Sequence, residues 1–143
     1  MKKIMFSVGE PSGEMLACEV IKRIQENKSS ITFNGMGGKY MRSLGVNILV
    51  DSSNISIIGF IEALKKWRIL KQYLEILKTE IKHNPPNLLV LVDYVEFNLR
   101  LGEFAKKNGV PVLFYVCPQI WAWGAKRISR VKKSTDYIAS ILP

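Results

Sequence analysis

The sequence has few of the residues that build common metal, cofactor and membrane sites. Among its 143 residues are two cysteines and one histidine, and Cys18, Cys117 and His83 match no metal-binding spacing. We therefore expect no metal site and two free thiols in an intracellular protein. The glycines form neither the G-x-G-x-x-G pattern of dinucleotide-binding proteins nor a P-loop. We accordingly expect no cofactor.

Long apolar runs are also missing. No stretch reaches the roughly 20 residues that a membrane-spanning helix needs. The basic start, Met1–Ile4, enters a short strand, and no small-residue cleavage site follows it. We therefore expect neither a spanning helix nor a signal peptide. The chain length of 143 residues fits a single domain.

Acidic residues are outnumbered by basic ones. The chain has 21 Lys and Arg residues against 12 Asp and Glu residues, which gives a formal net charge of +9 at pH 7. Such an excess is typical of proteins whose partners carry phosphates, namely nucleic acids or anionic membrane surfaces. No strand with interleaved aromatic and basic residues of the RNA-binding type is present. The pattern therefore favours a membrane surface and predicts no nucleic acid partner.

Short apolar segments alternate with helical patterns along the whole chain. Segments without polar alternation, separated by helices, are typical of a parallel sheet that is covered on both faces. We predict an α/β fold, a Rossmann-like parallel sheet with helices on both faces, formed by residues 1–143 as a single lobe. The predicted strands are Lys3–Val8, Ile31–Asn34, Val46–Val50, Leu88–Val92, Val112–Val116 and Tyr137–Ile141. The predicted helices run from an N-cap at Ser12 to about Asn27, and over about Lys39–Leu44, Gly59–Lys82, Leu99–Asn108 and Ala125–Lys133.

Chemically unusual residues follow three of the predicted strands. The segment Gly9–Glu14 follows the first strand, Asp93 follows the fourth, and Cys117–Trp123 follows the fifth. In an open α/β sheet, ligands bind outside the carboxyl ends of the strands, and in the common doubly wound order the first and fourth strands are neighbours. That order would bring Glu10 and Asp93 to facing loops. Partial desolvation beside an apolar strand suits Asp93 to general-base chemistry.

Purely structural explanations remain open for these segments. Ser12 can cap a helix and Glu14 can complement its dipole, but neither role accounts for Glu10. Asp93 can cap the turn that follows it. The two tryptophans of the third segment can pack in the core, although large rigid aromatics in such loops often wall a ligand pocket.

The long predicted helix combines an apolar stripe with crowded basic residues. Lys65, Lys66 and Arg68 occupy the same turns as the tryptophan of that stripe. Apolar excess flanked by basic residues is typical of a helix that lies on a membrane surface, and a buried helix with one solvated basic face is the alternative. The stripe comprises Phe60, Leu64, Trp67, Leu70 or Lys71, Leu74, Leu77 and Ile81.

Four motifs, taken in order, resemble one known family. They are Gly9-Glu10-x-Ser12-Gly13, Ile58-Gly59-Phe60-x-Glu62, Asp93-x-x-x-Phe97-Asn98, and Pro118-Gln119-Ile120-Trp121-Ala122-Trp123 continuing to Lys126-Arg127. With this set the chain resembles the N-terminal half of lipid A disaccharide synthase, a glycosyltransferase of the GT-B fold. The resemblance extends over essentially the whole chain.

The resemblance implies a hexosyltransferase reaction. Members of that family transfer 2,3-diacylglucosamine from its UDP derivative to 2,3-diacylglucosamine 1-phosphate and release UDP. The resemblance therefore implies these two substrates, an anionic membrane surface as partner, and a cytoplasmic, peripheral location on the inner face of the inner membrane. It also implies that this chain is the acceptor-side lobe, that the C-terminal nucleotide-sugar lobe is absent from it, and that the chain alone is inactive. An excised domain, a truncated gene and half of a split enzyme with a separate C-terminal lobe all remain compatible with this.

The resemblance also assigns roles to individual residues. The catalytic pair is Asp93, as the candidate general base for the acceptor 6-hydroxyl, and Glu10 in the same pocket. The implied substrate-binding residues are Gly9, Ser12, Gly13, Asn98, Pro118, Gln119, Trp121, Trp123 and Arg127. The implied membrane-contact residues are Phe60, Ile61, Leu64, Lys65, Lys66, Trp67 and Arg68.

The chain departs from the family pattern at two places. Glu14 stands where the family usually has Asp, and Val95-Glu96-Phe97-Asn98 replaces the usual Pro-Asp-Phe-Asn. Both changes keep the charge and lengthen the side chain.

Two other functions stay open: a flavodoxin-like module that binds a nucleotide or phosphate, and a non-catalytic lipid- or phosphate-binding Rossmann-like module.

Overall fold

A six-stranded parallel sheet is the framework of the lobe. The computed structural model describes residues 2–27, 30–55, 62–116 and 124–140. The described strands are β1 (Lys2–Val8), β2 (Ile31–Gly37), β3 (Asn47–Asp51), β4 (Leu88–Val92), β5 (Val112–Val116) and β6 (Tyr137–Ser140). The described α-helices are α1 (Pro11–Asn27), α2 (Lys39–Ser43), α3 (Ala63–His83), α4 (Val95–Lys107) and α5 (Gly124–Ser134), and Ser52–Asn54 forms a 3-10 turn.

The strand order is that of a doubly wound sheet. The strands lie in the order β3-β2-β1-β4-β5-β6 and every neighbouring pair is parallel. The order reverses between β1 and β4, where Val8 lies opposite Val92. This is the switch point at which ligands bind in such folds. The predicted Rossmann-like α/β fold is confirmed.

The alternating side chains of β4 belong to two different cores. Val90 and Val92 pack in the core beneath α1 and α2, whereas Leu89 and Leu91 pack in the core beneath α3, α4 and α5. Right-handed crossovers account for this division, because the chain moves one way from β1 to β3 and the other way from β4 to β6. A strand buried on both faces has no polar position, which is the pattern seen in the sequence of β4.

Three predicted helix starts are wrong. Helix α3, predicted from about Gly59, begins at Ala63 after the non-helical Glu62. Helix α1 begins at Pro11, and the carbonyl of Glu10 accepts the first helical bond, from the amide of Glu14 at 2.9 Å. Ser12 is therefore not the N-cap, because proline, which lacks a donor, occupies the first helical position. Helix α4 begins at Val95, four residues before the predicted start at Leu99, and the extra turn buries Phe97.

Strand β2 is longer than predicted because its glycines continue the strand. It extends through Gly37, whereas the prediction ended it at Asn34. Gly35 has φ +130°, and a Cβ atom added to it would lie 1.9 Å from the carbonyl oxygen of Phe6 in β1. Gly35 therefore allows the backbones of β1 and β2 to approach closely, at the point where the pairing of β2 with β3 shifts register.

Two glycines with positive φ provide a matched test of this close approach. Gly109 has φ +79° and nothing within 4 Å of an added Cβ atom. Gly109→Ala should therefore lower the free energy of unfolding only by the backbone strain, about 1–2 kcal/mol. Gly35→Ala adds a backbone clash and should cost a further 1–3 kcal/mol or so. Urea denaturation measures both, and equal losses would contradict the role assigned to Gly35.

Candidate functional site

The ends of β1 and β4 bring two predicted catalytic carboxylates to one edge of the sheet. Glu10 follows β1 by two residues and Asp93 follows β4 directly. Because Val8 and Val92 are paired, the two loops leave the sheet side by side. The amide of Asp93 also donates to the carbonyl of Tyr115 in β5 at 3.2 Å.

The backbone turns sharply at Asp93. Asp93 has φ 46° and Tyr94 has φ 42°. Two successive non-glycine residues in the left-handed region cost free energy, of the order of 1–3 kcal/mol each. Such strain persists only where the surroundings hold it, and it is common at functional sites. The N-cap of α4 is Tyr94, whose side chain makes no capping hydrogen bond.

The fully buried amide of Asn98 holds this turn. Its Nδ2 donates to the carbonyl oxygens of Asp93 at 2.8 Å, Ser7 at 3.1 Å and Val92 at 3.3 Å. Its Oδ1 accepts a hydrogen bond from the hydroxyl of Ser7 at 2.6 Å. With an exposed fraction of 0%, Asn98 lies beneath the edge of the sheet. Direct contact with a substrate, as predicted from the sequence, would require these bonds to break.

Tyr94 fills the space between the two carboxylate loops. A Cβ atom on Gly9 would lie 2.5 Å from Cγ of Tyr94, so only glycine leaves room for the ring. Burial raises the pKa of Tyr94, and the negative charge of Glu10 adds to this effect. The hydroxyl is protonated at neutral pH, as that of an unperturbed tyrosine is. Tyr94 was not among the predicted site residues, and its position directly after Asp93 was the only available signal.

Glu14 joins α1 to α2. Its exposed fraction is 7%, and its Oε2 accepts hydrogen bonds from the backbone amides of Tyr40 and Met41, both at 3.1 Å. Gly38 leaves room for the carboxylate, because an added Cβ atom would lie 2.6 Å from Oε1. Glu14 does lie in the first turn of α1, but its carboxylate caps the neighbouring helix.

A cleft of about 650 Å³ opens beside these loops. The carboxyl of Asp51, on its wall, has a lowered pKa because Ser53 donates hydrogen bonds to it. Within the described ranges, no group of three His, Cys, Asp or Glu side chains is arranged to hold a metal ion. The cleft is lined by Gly9, Glu10, Pro11, Glu14, Gly38, Lys39, Tyr40, Asp51, Ser52, Ser53, Ile55, Lys66 and Tyr94.

The remaining predicted substrate contacts fall in different places. Ser12 is exposed on the first turn of α1. Gly13 is buried, and a Cβ atom there would lie 3.1 Å from Cγ1 of Val92, so Gly13 lets α1 pack closely on the sheet. Glu96 is exposed and accepts a hydrogen bond from Arg130 at 2.9 Å, which links α4 to α5. Pro118, Gln119, Trp121, Trp123 and the side chain of Arg127 lie outside the described part of the chain.

The first turns of α3 carry part of the predicted membrane-contact set. Leu64 is 63% exposed and Trp67 is 40% exposed, with the guanidinium of Arg100 stacked 4.7 Å from the indole centroid. Lys65 and Arg68 are exposed as well, whereas Lys66 is half-buried and lines the cleft. Phe60 and Ile61 lie outside the described residues. No helix in the described residues is long and apolar enough to cross a membrane.

The sequence matches one protein family over nearly its whole length. The family model described as lipid-A-disaccharide synthetase matches residues 4–143. A lipid-A-disaccharide synthase from Trichlorobacter lovleyi is 41% identical over 142 residues, which cover 99% of this chain and 37% of the relative. One from Coxiella burnetii is 38% identical over 138 residues, covering 96% of this chain and 37% of the relative. The chain thus spans about 37% of the length of these relatives.

A solved structure shares the fold. The calicheamicin glycosyltransferase CalG4 superposes with a TM-score of 0.53 at 14% identity, over 95% of this chain and 36% of CalG4. At that identity the similarity shows the fold alone. It agrees with the Rossmann-like lobe of a two-lobe glycosyltransferase.

The role of Asn98 can be tested by stability. Asn98→Ala leaves the buried hydroxyl of Ser7 and three carbonyl oxygens without their partner, and should lower the free energy of unfolding by about 3 kcal/mol. Asn108→Ala is the control, because the side-chain amide of Asn108 is exposed and, within the described residues, donates to a single carbonyl, that of Phe104. Its loss should stay below about 1 kcal/mol. We call the hydrogen bonds of Asn98 to Ser7, Val92 and Asp93 the Asn98 clamp. Similar losses for the two variants in thermal or urea unfolding would contradict this clamp.

Proposed function

Because this chain belongs to the lipid-A-disaccharide synthetase family, we propose that it is the acceptor-side lobe of a glycosyltransferase of lipid A biosynthesis. The reaction transfers 2,3-diacylglucosamine from its UDP derivative to 2,3-diacylglucosamine 1-phosphate, and yields the disaccharide and UDP. The observation that carries the proposal is the family match over residues 4–143. The adjacent positions of Glu10 and Asp93 at the switch point support it.

Asp93 is the general base in this proposal. It takes the proton of the acceptor 6-hydroxyl while that oxygen bonds to the anomeric carbon of the donor sugar. The bond from this carbon to the UDP oxygen breaks, and UDP leaves with the electron pair. Asp93 is half-buried, and the Asn98 clamp fixes its backbone, so the carboxylate is pre-oriented for this task.

Glu10 and Tyr94 complete the described part of the site. Glu10 is exposed in the cleft and can accept hydrogen bonds from acceptor hydroxyls. Tyr94 also lines the cleft, and its phenol is protonated at neutral pH and can donate a hydrogen bond. The other implied contacts stay predictions: Gly9, Ser12, Gly13, Asn98, Pro118, Gln119, Trp121, Trp123 and Arg127.

A second, nucleotide-sugar lobe is required for transfer in this proposal. The relatives are much longer than the chain, which spans 37% of their length. An apolar groove beside α1, lined in part by Leu16, Val20, Leu88 and Leu113, is covered by no helix among the described residues. Because parallel sheets are normally covered on both faces, this groove supports a further segment packing against the lobe. The lobe alone should not transfer sugar, because it cannot hold donor and acceptor together.

The first turns of α3 form the membrane contact in this proposal. Leu64 and Trp67 project beside Lys65 and Arg68, and the whole chain carries a net charge of +9. Such a surface suits an anionic membrane, in which acylated substrates are dissolved. The proposed location is peripheral, on the cytoplasmic face of the inner membrane.

Replacement of the proposed base tests the chemistry. In an enzyme assembled from this chain and the C-terminal part of the Trichlorobacter relative, Asp93→Asn should lower kcat about 10²- to 10⁴-fold, as expected for loss of a general base. Glu19→Gln, on the exposed face of α1, is the matched control and should leave kcat unchanged. Circular dichroism checks folding. Turnover of Asp93→Asn within about twofold of wild type would exclude the base role, and binding without any transfer by the wild type would favour the non-catalytic module.

Vesicle flotation tests the membrane contact. Burying a leucine side chain is worth about 1.5–3 kcal/mol, so Leu64→Ser should lower partitioning to anionic vesicles about tenfold or more. Ile76→Ser is the control, since Ile76 is 46% exposed further along the same helix. Binding should weaken as salt is raised, because exposed charges are screened beyond about 8 Å at physiological ionic strength. Equal effects of the two substitutions would remove the membrane role from the start of α3.

A further inference from the structure

We propose that Lys39 and Lys66 bind the phosphate group of a sugar phosphate in the cleft. The inference rests on the proposed function, because it assigns the phosphate to the acceptor. Lys39 is the first residue of α2, directly beyond β2, and Lys66 lies in the first turn of α3. Both line the same cleft as Glu10 and Tyr94, although they are 27 positions apart and come from different elements.

The acidic groups of the cleft are mostly engaged by the protein itself. The carboxylate of Glu14 accepts from the amides of Tyr40 and Met41. The carboxylate of Asp51 accepts from the amide of Ser53 at 2.9 Å and lies 3.5 Å from Arg42. These two carboxylates are thus compensated without either lysine. Glu10 is the remaining carboxylate on the lining, and it belongs to the proposed catalytic pair.

The two lysines, in contrast, are available to a ligand. Within the part of the chain that the structure describes, neither has an ion-pair partner, and Lys39 only approaches the ring of Tyr40 at 5.1 Å. The amides of Tyr40 and Met41 near the start of α2 already donate to Glu14, so the lysine side chains are the groups proposed to hold an anion in this cleft. Lysine binds phosphate as a point charge, and a phosphate monoester carries about −1.5 to −2 charges at pH 7. Two ammonium groups match that charge.

The placement also orients the acceptor. In a hexose 1-phosphate the phosphate and the 6-hydroxyl are at different ends of the sugar. With the phosphate bound by Lys39 and Lys66, the 6-hydroxyl lies at the far end of the sugar, while Glu10 lines the same cleft and Asp93 follows the strand next to β1. The lysines are therefore positioning residues for the acceptor. This assignment also separates Lys66 from the neighbouring Lys65, which is exposed and does not line the cleft.

Binding to the purified chain tests the site without requiring turnover. The probes are glucosamine 1-phosphate, glucosamine, inorganic phosphate and UDP, titrated by NMR. Lys39→Gln and Lys66→Gln should each weaken glucosamine 1-phosphate and inorganic phosphate binding about tenfold, the usual effect of losing a charged hydrogen bond. Binding of glucosamine should not change. Lys65→Gln is the matched control and should bind like wild type.

Several outcomes would overturn the proposal. Unchanged glucosamine 1-phosphate binding by both variants would exclude the site. Equal weakening by Lys65→Gln would indicate general charge rather than a site. Weakened binding of UDP alone would assign the lysines to the donor. Flotation with phosphatidylglycerol vesicles distinguishes a lipid headgroup from a sugar phosphate as the ligand. Lys66→Gln should leave flotation unchanged. Reduced flotation of this variant with intact sugar phosphate binding would refute the site.

The assembled two-lobe enzyme distinguishes this inference from the proposed function. There, the lysine variants should raise the KM for the acceptor about tenfold while kcat stays near wild type. An assembled enzyme that never transfers sugar, combined with lysine-dependent phosphate binding, would refute the glycosyltransferase proposal and keep the phosphate site. Sugar transfer by the lysine variants with an unchanged acceptor KM would refute the phosphate site and keep the glycosyltransferase proposal.

Discussion

The buried amide of Asn98 is the interaction on which the site depends. It joins the end of β1 to the turn after β4 through Ser7 and Asp93, and Asn98 is fully buried. Satisfied buried networks of this kind fix one geometry, since any other leaves polar groups unpaired at considerable cost. The left-handed backbone at Asp93 persists because this network holds it.

Glycines and a second buried carboxylate extend this constraint to the cleft. Gly9 admits the ring of Tyr94, and Gly38 admits the carboxylate of Glu14, which caps α2. Each small residue therefore has a larger partner from another segment in the space it leaves. The cleft wall is therefore formed where a glycine of one segment leaves room for a larger side chain of another. Its shape depends on the strand order, which brings these segments together.

The sequence predicted the sheet better than the site. Strands β4 and β5 were predicted to the residue, because each is a short apolar run bounded by turn residues or proline. The adjacency of Glu10 and Asp93 followed from the assumed strand order, which the structure confirms. The role of Asn98 did not follow, since its partner Ser7 is 91 positions away. The sequence shows that an asparagine is present at position 98, whereas only the fold shows its hydrogen-bond partners.

Helix α3 illustrates why helical periodicity alone was insufficient. Its apolar stripe is buried from Leu70 onward, yet Leu64 and Trp67 on the same stripe are exposed at the start of the helix. The stripe therefore continues past the edge of the core, where Leu64 is largely exposed and Trp67 contacts the guanidinium of Arg100. Lys66 turns back to the cleft at this point. One helical turn thus carries a surface suited to acyl chains and a charge suited to the phosphate of the same amphiphilic molecule. In the proposed function, the acyl chains of the acceptor would remain in the lipid beside Leu64 and Trp67 while its phosphate lies at Lys66.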